Sequence, residues 1–382
     1  MTQRPDCWRE VSLGELGKWV TGSTPKSSNP LNFGEDIDFV TPADISHGGL
    51  LGLSERKISQ LGASSVRLVK APSVNLVCIG TIGKVALANR DVTTNQQINS
   101  LEVDKSVVTP KFAMWLLASP ELQEKLWANA SSTTVAILNK GNLEKIKSYI
   151  PPLPEQLRIV EILEDSLSRL DSALADVKQA KVKAAQFRRS YIHEMTTAIE
   201  SSEVMGILDI CDVYQPKTIS TKELISDGEF PVYGANGQIG FYDKFNHEES
   251  EVTVTCRGAT CGTVNVIPAM SWITGNAMVF SPKDGRIQKG FLEYVLRGMD
   301  WTPVITGTAQ PQITRTSIQD VFVNVPSPDT QNDIYMKLES SLTQVTNAAL
   351  LSEKVEMQAA SLRRSLLQAA FTGQLTNEVV SV

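Results

Sequence analysis

The stretch that decides the fold opens Ile150-Pro151-Pro152-Leu153-Pro154-Glu155-Gln156 and runs to Ile199 without another proline or glycine. Val160, Leu163, Leu167, Leu170, Leu174, Val177 and Ala184 recur along it in steps of three, four or seven. That spacing is a heptad seam, narrower than the apolar face of a globular helix. The prolines cannot sit inside a helix, so they mark its start, and Glu155 suits the positive end of the helix dipole. A helix of about 45 residues is roughly 65–70 Å long at 1.5 Å per residue. It is therefore expected to project from its domain and to need a partner.

The same chain supplies that partner. From Val325 it reads Val325-Pro326-Ser327-Pro328-Asp329-Thr330-Gln331, followed by a second long run almost free of breakers. Gln156 matches Gln331 at an offset of 175 residues (331 − 156). The same offset carries Leu138 to Ile313, Lys140 to Arg315, Leu163 to Leu338, Leu167 to Leu342 and Leu170 to Val345. It also carries Phe187-Arg188-Arg189-Ser190 to Leu362-Arg363-Arg364-Ser365. An ungapped match over about 50 residues is an internal repeat.

Length and composition set the outer limits. The 382 residues allow two or three domains, and 42% hydrophobic content is ordinary for a chain with real cores. A net charge of −6 does not mark a nucleic-acid binder, but local patches steer binding and the net charge reports only their sum. Nothing at Met1–Val20 has a signal peptide's basic start and apolar core, and no run of about 18 apolar residues exists, so no membrane span is expected. Five irregularly spaced cysteines with three histidines argue against structural zinc and fit a reducing, cytoplasmic setting.

Residues 1–149 read as a mixed α/β unit. Trp8–Leu16 is predicted as a strand running into a helix capped by Ser12. Leu76–Leu87 is predicted as strand, glycine turn, strand, and Pro110–Ala130 as one packed helix. Residues 205–324 repeat this plan with more drift: Val252–Val264 echoes Leu76–Val85, and Gly290–Arg297 echoes the helix after Pro110. A duplicated frame with divergent loops suggests one scaffold presenting two surfaces.

These features resemble the specificity subunits of type I restriction-modification systems. The carrying residues are Trp8–Thr24, the turn Gly80-Thr81-Ile82-Gly83-Lys84, and Ser131–Gln156. Within the last, Asn139-Lys140-Gly141-Asn142-Leu143 followed by Pro151–Gln156 is the most specific part. The second proline entry departs, with Asp329-Thr330-Gln331 where the first has Pro154-Glu155-Gln156. The resemblance implies an α/β fold class. Two mixed α/β target recognition domains (1–150 and 205–325) are separated by two long helices (151–200 and 326–376) packed as an antiparallel coiled coil, a pseudo-two-fold internal repeat. It implies that each domain reads one half of a bipartite site on double-stranded DNA while the helix length fixes the unread spacer. It also implies two modification (methyltransferase) subunits as partners, which a restriction subunit can join. The chain itself would catalyse nothing and hold no cofactor. S-adenosylmethionine, ATP and magnesium would belong to the partners.

Two equivalent polar loops are the leading candidates for DNA contact. One runs Ala130–Lys140 and contains Ser132, Thr133, Thr134 and Lys140; the other runs Gly307–Arg315 and contains Thr308, Gln310, Gln312 and Arg315. Hydroxyl and amide groups read base edges or hold phosphates, and Lys140 and Arg315 can neutralise phosphate charge. The plainer alternative is a turn that caps the next helix near Asn139 or Thr314. The glycine turn fails the phosphate-loop pattern, because Val85 stands where Ser or Thr must bind magnesium. It is expected to be a tight hairpin, with Lys84 near a DNA phosphate. Arg257 is a similar candidate in the second copy, since arginine reads guanine bidentately. The expected helix seam comprises Val160, Leu163, Leu167, Leu170, Leu174 and Val177 with Leu338, Leu342 and Val345. His193 has no evident catalytic partner in the sequence and reads as structural, and Cys256 and Cys261 read as small strand residues, not a redox pair. Two other readings stay open: a magnesium nuclease built on Asp44, Glu55 and Lys57, and a coiled-coil scaffold that binds only protein.

Overall fold

Both long helices form, Leu153–Thr197 and Pro328–Thr372, each of 45 residues. The computed structural model describes residues 5–131, 135–235, 237–307 and 310–377. The chain divides into two compact units, Met1–Asp176 with Lys354–Val382 and Val177–Glu353, so each unit holds part of each long helix.

In the first unit, strand β1 (Arg9–Ser12) runs into a short 3-10 turn, Leu13–Leu16. Ser12 caps that turn and the Glu15 carboxylate accepts from the Ser12 N–H at 2.7 Å, a capping box. Strands β2 (Gly17–Thr21), β3 (His47–Leu50), β4 (Ser73–Val77), β5 (Val85–Ala88) and β6 (Ile98–Val103) form one sheet in the order β2-β6-β4-β5-β3. Phe33–Val40, Lys57–Ile58, Leu68–Val69 and Val92–Thr94 make a second sheet. The expected single helix over Pro110–Ala130 is two, α1 (Pro110–Ala118) and α2 (Pro120–Ala128). Pro120 has no N–H to continue α1 and restarts the chain at a new first turn. Strand β7 (Lys147–Ile150) closes back on β1 and leads into the first long helix.

The second unit repeats the plan. β8 (Ser202–Gly206) pairs with β13 (Phe322–Pro326), ahead of the second long helix. Between them, β9 (Cys211–Tyr214), β10 (Glu251–Thr255), β11 (Val264–Ile267) and β12 (Ala277–Pro282) form a sheet in the order β9-β12-β10-β11. That is the first unit's β2-β6-β4-β5 again, and α3 (Lys289–Gly298) follows it as α1 follows β6. Gly237–Tyr242, Phe230–Gly234 and Trp272–Ile273 form a smaller sheet, whose parallel pair Phe230–Gly234 with Trp272–Ile273 matches Phe33–Val40 with Val92–Thr94 in the first unit.

Within each unit the two helices run antiparallel. In the first, Asp171 pairs with Arg363, and Glu155 accepts at 3.2 Å from the hydroxyl of Thr376, just past the end of the second helix, so one number rises as the other falls. In the second, Lys181 pairs with Glu353 at 3.6 Å and the Tyr191 hydroxyl lies 3.5 Å from that of Ser341. Ile159, Val160, Leu163 and Leu167 share one core with Phe112, Ala370 and Phe371, and the Phe112 and Phe371 rings meet edge-on at 5.2 Å. Ile192, Ile334, Leu338 and Leu342 share the other with Phe291 and Leu292.

Burial along the seam is graded. Val160, Leu163, Leu167, Leu338 and Leu342 are buried, whereas Leu170, Leu174, Val177 and Val345 are half-buried. The first group has the domain core on one side and the other helix on the opposite side. Leu163→Ala is therefore expected to destabilise its unit by about 3 kcal/mol and Leu174→Ala by about 1 kcal/mol, measured by urea unfolding. Equal costs at the two positions would contradict the gradient.

Both proline entries end in the same buried device. The Gln156 side chain accepts from the Thr109 N–H at 2.8 Å and donates to the carbonyls of Val107 (3.1 Å) and Pro151 (3.0 Å). The Gln331 side chain accepts from the Gln288 N–H at 2.8 Å and donates to the carbonyls of Arg286 (2.8 Å) and Pro326 (2.9 Å). Thr109 and Gln288 are the N-caps of α1 and α3, so each glutamine ties the start of a long helix to the start of its domain's packed helix. The changed residues at Asp329-Thr330 leave this geometry intact, and Ser327 caps the entry by accepting from the Thr330 N–H at 3.3 Å.

Candidate nucleic-acid interface

The described arms of the two polar loops pair alike, each laid against the end of a sheet strand. In the first unit Ser131 and Ile137 exchange backbone hydrogen bonds at 2.9 and 2.8 Å. Leu138 N–H then reaches the Cys78 carbonyl at 2.8 Å and Gly80 N–H the Ala136 carbonyl at 3.0 Å, which makes Ile79 and Ile137 cross-strand partners. In the second unit Thr306 and Gln312 exchange two bonds of 2.8 Å. Ile313 N–H reaches the Cys256 carbonyl at 3.0 Å and Gly258 N–H the Pro311 carbonyl at 3.0 Å, making Arg257 and Gln312 cross-strand partners. Gly80 and Gly258 both take left-handed backbone, φ 78° and 89°, where the chain turns away from the pairing.

In the second unit this edge opens a recess of about 220 Å³ lined by Tyr214, Gln215, Arg257, Gln312, Thr314 and Arg315, among others. Arg257, Gln312 and Arg315 are exposed, and among the described residues neither arginine makes an ion pair. Tyr214 is anchored through its hydroxyl to His247 Nε2 at 3.0 Å, while His247 Nδ1 lies 2.6 Å from Asn246 Oδ1. Asn246 Oδ1 also accepts from the Ile273 N–H, so the imidazole donates from Nδ1 and accepts at Nε2. Burial lowers the His247 pKa, which keeps the ring neutral in that role.

The remaining candidates divide. Gln310 is exposed beside the hairpin. Lys140 is exposed at the start of the helix Lys140–Lys145 and pairs with Glu144 at 3.6 Å. Asn139 caps that helix, accepting from the Asn142 N–H at 2.8 Å, and Thr314 and Ser317 bond reciprocally in the second copy. The capping role is thus present alongside any contact role. Lys84 is half-buried, and its ammonium donates to the Pro42 carbonyl at 3.1 Å, bracing the loop. Arg257 stands where the first copy has Ile79, not where it has Lys84. Ser132, Thr133, Thr134 and Thr308 lie outside the described residues.

A family model described as "Type I restriction modification DNA specificity domain" matches residues 5–183 and again 199–357. The chain belongs to this type I specificity family. It is similar to the specificity subunit of the type I restriction enzyme EcoprrI from Escherichia coli, 25% identical over 88% of this chain and 89% of that one. It is also similar to the HindI specificity subunit of Haemophilus influenzae, 31% identical over 43% of this chain and 37% of that relative's length. Among solved structures, one concerned with assembly and conformational transition of a type I restriction-modification system superposes with a TM-score of 0.82 at 18% identity, covering 97% of this chain and 99% of that one. The HsdS subunit from Thermoanaerobacter tengcongensis superposes with a TM-score of 0.60 at 17% identity, covering 97% and 98%. At such identities the structures establish the fold alone.

The specificity-domain frame accounts for the other groups singled out above. The Asp44 carboxylate accepts from the Thr41 N–H and hydroxyl, both at 2.8 Å, and from the Glu55 N–H at 3.0 Å, so it fixes a turn. Lys57 pairs with Glu35 at 3.3 Å. Among the described residues no cluster of three acidic, histidine or cysteine side chains is placed to hold a metal ion. His193 lies 3.0 Å from the Gly298 carbonyl, a link between helix and domain. Burial pushes the Cys78 thiol up to about 11 and the Cys211 thiol up to about 12, and it also raises Cys256 and Cys261. No helix among the described residues is long and apolar enough to cross a membrane.

Proposed function

We propose that this chain is the non-catalytic, DNA-reading subunit of a type I restriction-modification complex. Each domain takes one half of a bipartite duplex site. The two copies differ in sequence, so the half-sites are unrelated and the target is not palindromic. The observation that carries this reading is the duplicated hairpin edge, with the same backbone pairing in both units and different side chains upon it. Arg257, Gln312 and Arg315 are the contact residues this favours in the second domain, with Lys140 in the first. Lys84 is the weakest of the set, because its ammonium is already engaged.

Two equivalent modification subunits fit the helices. Val182 and Phe187 on the first helix, and Met357 and Leu362 on the second, are all half or more exposed. They are repeat partners at the 175-residue offset. Exposed apolar side chains at matching positions suit two copies of one partner. Methyl transfer with its S-adenosylmethionine, and ATP and magnesium for restriction, belong to those partner subunits.

A gel-shift series on the chain assembled with its modification subunits tests the reading, scrambling one half-site at a time. Each scramble is expected to weaken binding by roughly a thousandfold or more, the usual gap between specific and non-specific binding. Equal binding to every duplex would remove DNA reading, and no affinity even at low salt would leave a protein-only scaffold. Magnesium-dependent cutting by the purified chain, abolished by Asp44→Ala, would overturn its non-catalytic role.

A further inference from the structure

We propose that the cross-strand pair on the hairpin edge is one and the same base-reading position in both domains. Arg257, with Gln312 beside it, selects guanine in the second half-site, and Ile79 with Ile137 selects thymine in the first. This rests on the DNA-reading function above and names which base chemistry each domain takes.

The equivalence comes from the backbone. Four hydrogen bonds in each unit place the two pairs at the same point of the same frame, between a left-handed glycine and a hairpin strand. Cross-strand partners project to the same side of a sheet, so each pair offers two neighbouring side chains to one face. The backbone is held from both sides, on the sheet strand and on the other arm of the hairpin. Such support is what a reading residue requires.

The side chains then differ in kind. Ile137 is 42% exposed, and Val135 just before it is 50% exposed. Branched apolar groups left in solvent on a hairpin contribute little to folding, but they match the C5-methyl of thymine in the major groove. At the same point of the second unit stand a guanidinium and a carboxamide, both exposed. Arg297 pairs with Glu293 at 2.8 Å and Arg189 lies 3.9 Å from Asp300, whereas Arg315, in the same recess as Arg257, is as unpaired as Arg257 among the described residues. Arg257 has no ion pair among the described residues, so its planar fork of donors is free to meet the O6 and N7 acceptors of guanine.

The test maps methylation on a randomised duplex library, using the chain assembled with its modification subunits. Wild type is expected to require a guanine in the second half-site. Arg257→Ala should relax that position alone, lowering discrimination there by roughly five- to a hundredfold. Arg257→Lys, which keeps the charge and a donor but loses the planar fork, should retain binding and keep only part of that discrimination. Ile79→Arg combined with Ile137→Gln should replace a thymine requirement in the first half-site by guanine and leave the second untouched. If Arg257→Ala instead weakens all sequences alike and lowers the salt slope by about one, the residue holds a phosphate and the base assignment falls. An unchanged site in any of these variants, with thermal stability intact, overturns it too. A wild-type complex that methylates without sequence preference is a different result, and it would sink the DNA-reading function instead.

Discussion

Gln156→Leu is expected to destabilise the first unit by about 3–5 kcal/mol, and Gln331→Leu the second unit by a similar amount. Leucine has nearly the volume of glutamine, so no cavity forms and the loss is polar. In the first unit the Thr109 N–H and the carbonyls of Val107 and Pro151 lose their partner; Gln156 and Pro151 are buried, and Val107 and Thr109 are half-buried. An orphaned buried group costs about 1–3 kcal/mol, and the apolar gain from leucine offsets only part of three such losses. Gln156→Glu is expected to be no better. Its second oxygen would face two carbonyls where an NH₂ now donates, a charge placed in a buried site against the wrong end of two dipoles. Urea unfolding of the full chain, followed separately by a probe in each unit, is the measurement. A cost below about 1 kcal/mol at either glutamine would show that water or a shifted loop can replace the amide.

That pair shows how far the sequence is legible. The match of Gln156 to Gln331 is plain in the repeat, as is the length of the helices that follow. What the amide does there is not, because its partners at Val107 and Thr109 lie far back in the chain and contribute only backbone atoms. Backbone partners leave no side-chain signature. The heptad steps located the seam, yet Leu163 and Leu174 look identical in sequence and differ in burial, since only the first also faces a domain core. The single helix expected over Pro110–Ala130 breaks at Pro120, whose missing N–H outweighs an apolar pattern that continues across it. At the candidate interface, polar residues carry a signal in the sequence and apolar ones do not. Ile79 falls in the predicted strand–turn–strand and Ile137 in the polar loop, and only their pairing places them at the positions that Arg257 and Gln312 hold in the second copy. Tyr214 and Gln215 had no motif at all; they meet the hairpin only through the order of the sheet. Repeats and periodicities thus expose the frame, while the edge that the frame presents depends on long-range pairing.

Insertion of seven residues after Ala180, with a matching seven near Val355, is expected to lengthen the unread spacer and leave both half-sites unchanged. Lys181 pairs with Glu353, so the two insertions fall level with one another on the paired helices. Seven residues are two helical turns to within about 20°, so the seam returns to the same side and the coiled coil can continue. They add about 10 Å of rise, close to three base pairs of duplex. Three base pairs also turn the grooves by roughly 100°, so the longer ruler should bind its new site more weakly than wild type binds the old one. Five residues in each helix form the control. They rotate the seam by about 140° and carry the apolar stripe away from its partner, so that variant should unfold locally rather than read a longer site. Methylation mapping gives the spacer directly. A seven-residue variant that is folded yet keeps the original spacer would show that the helices do not measure distance, and one that reads different half-sites would show that the domains do not read independently of them.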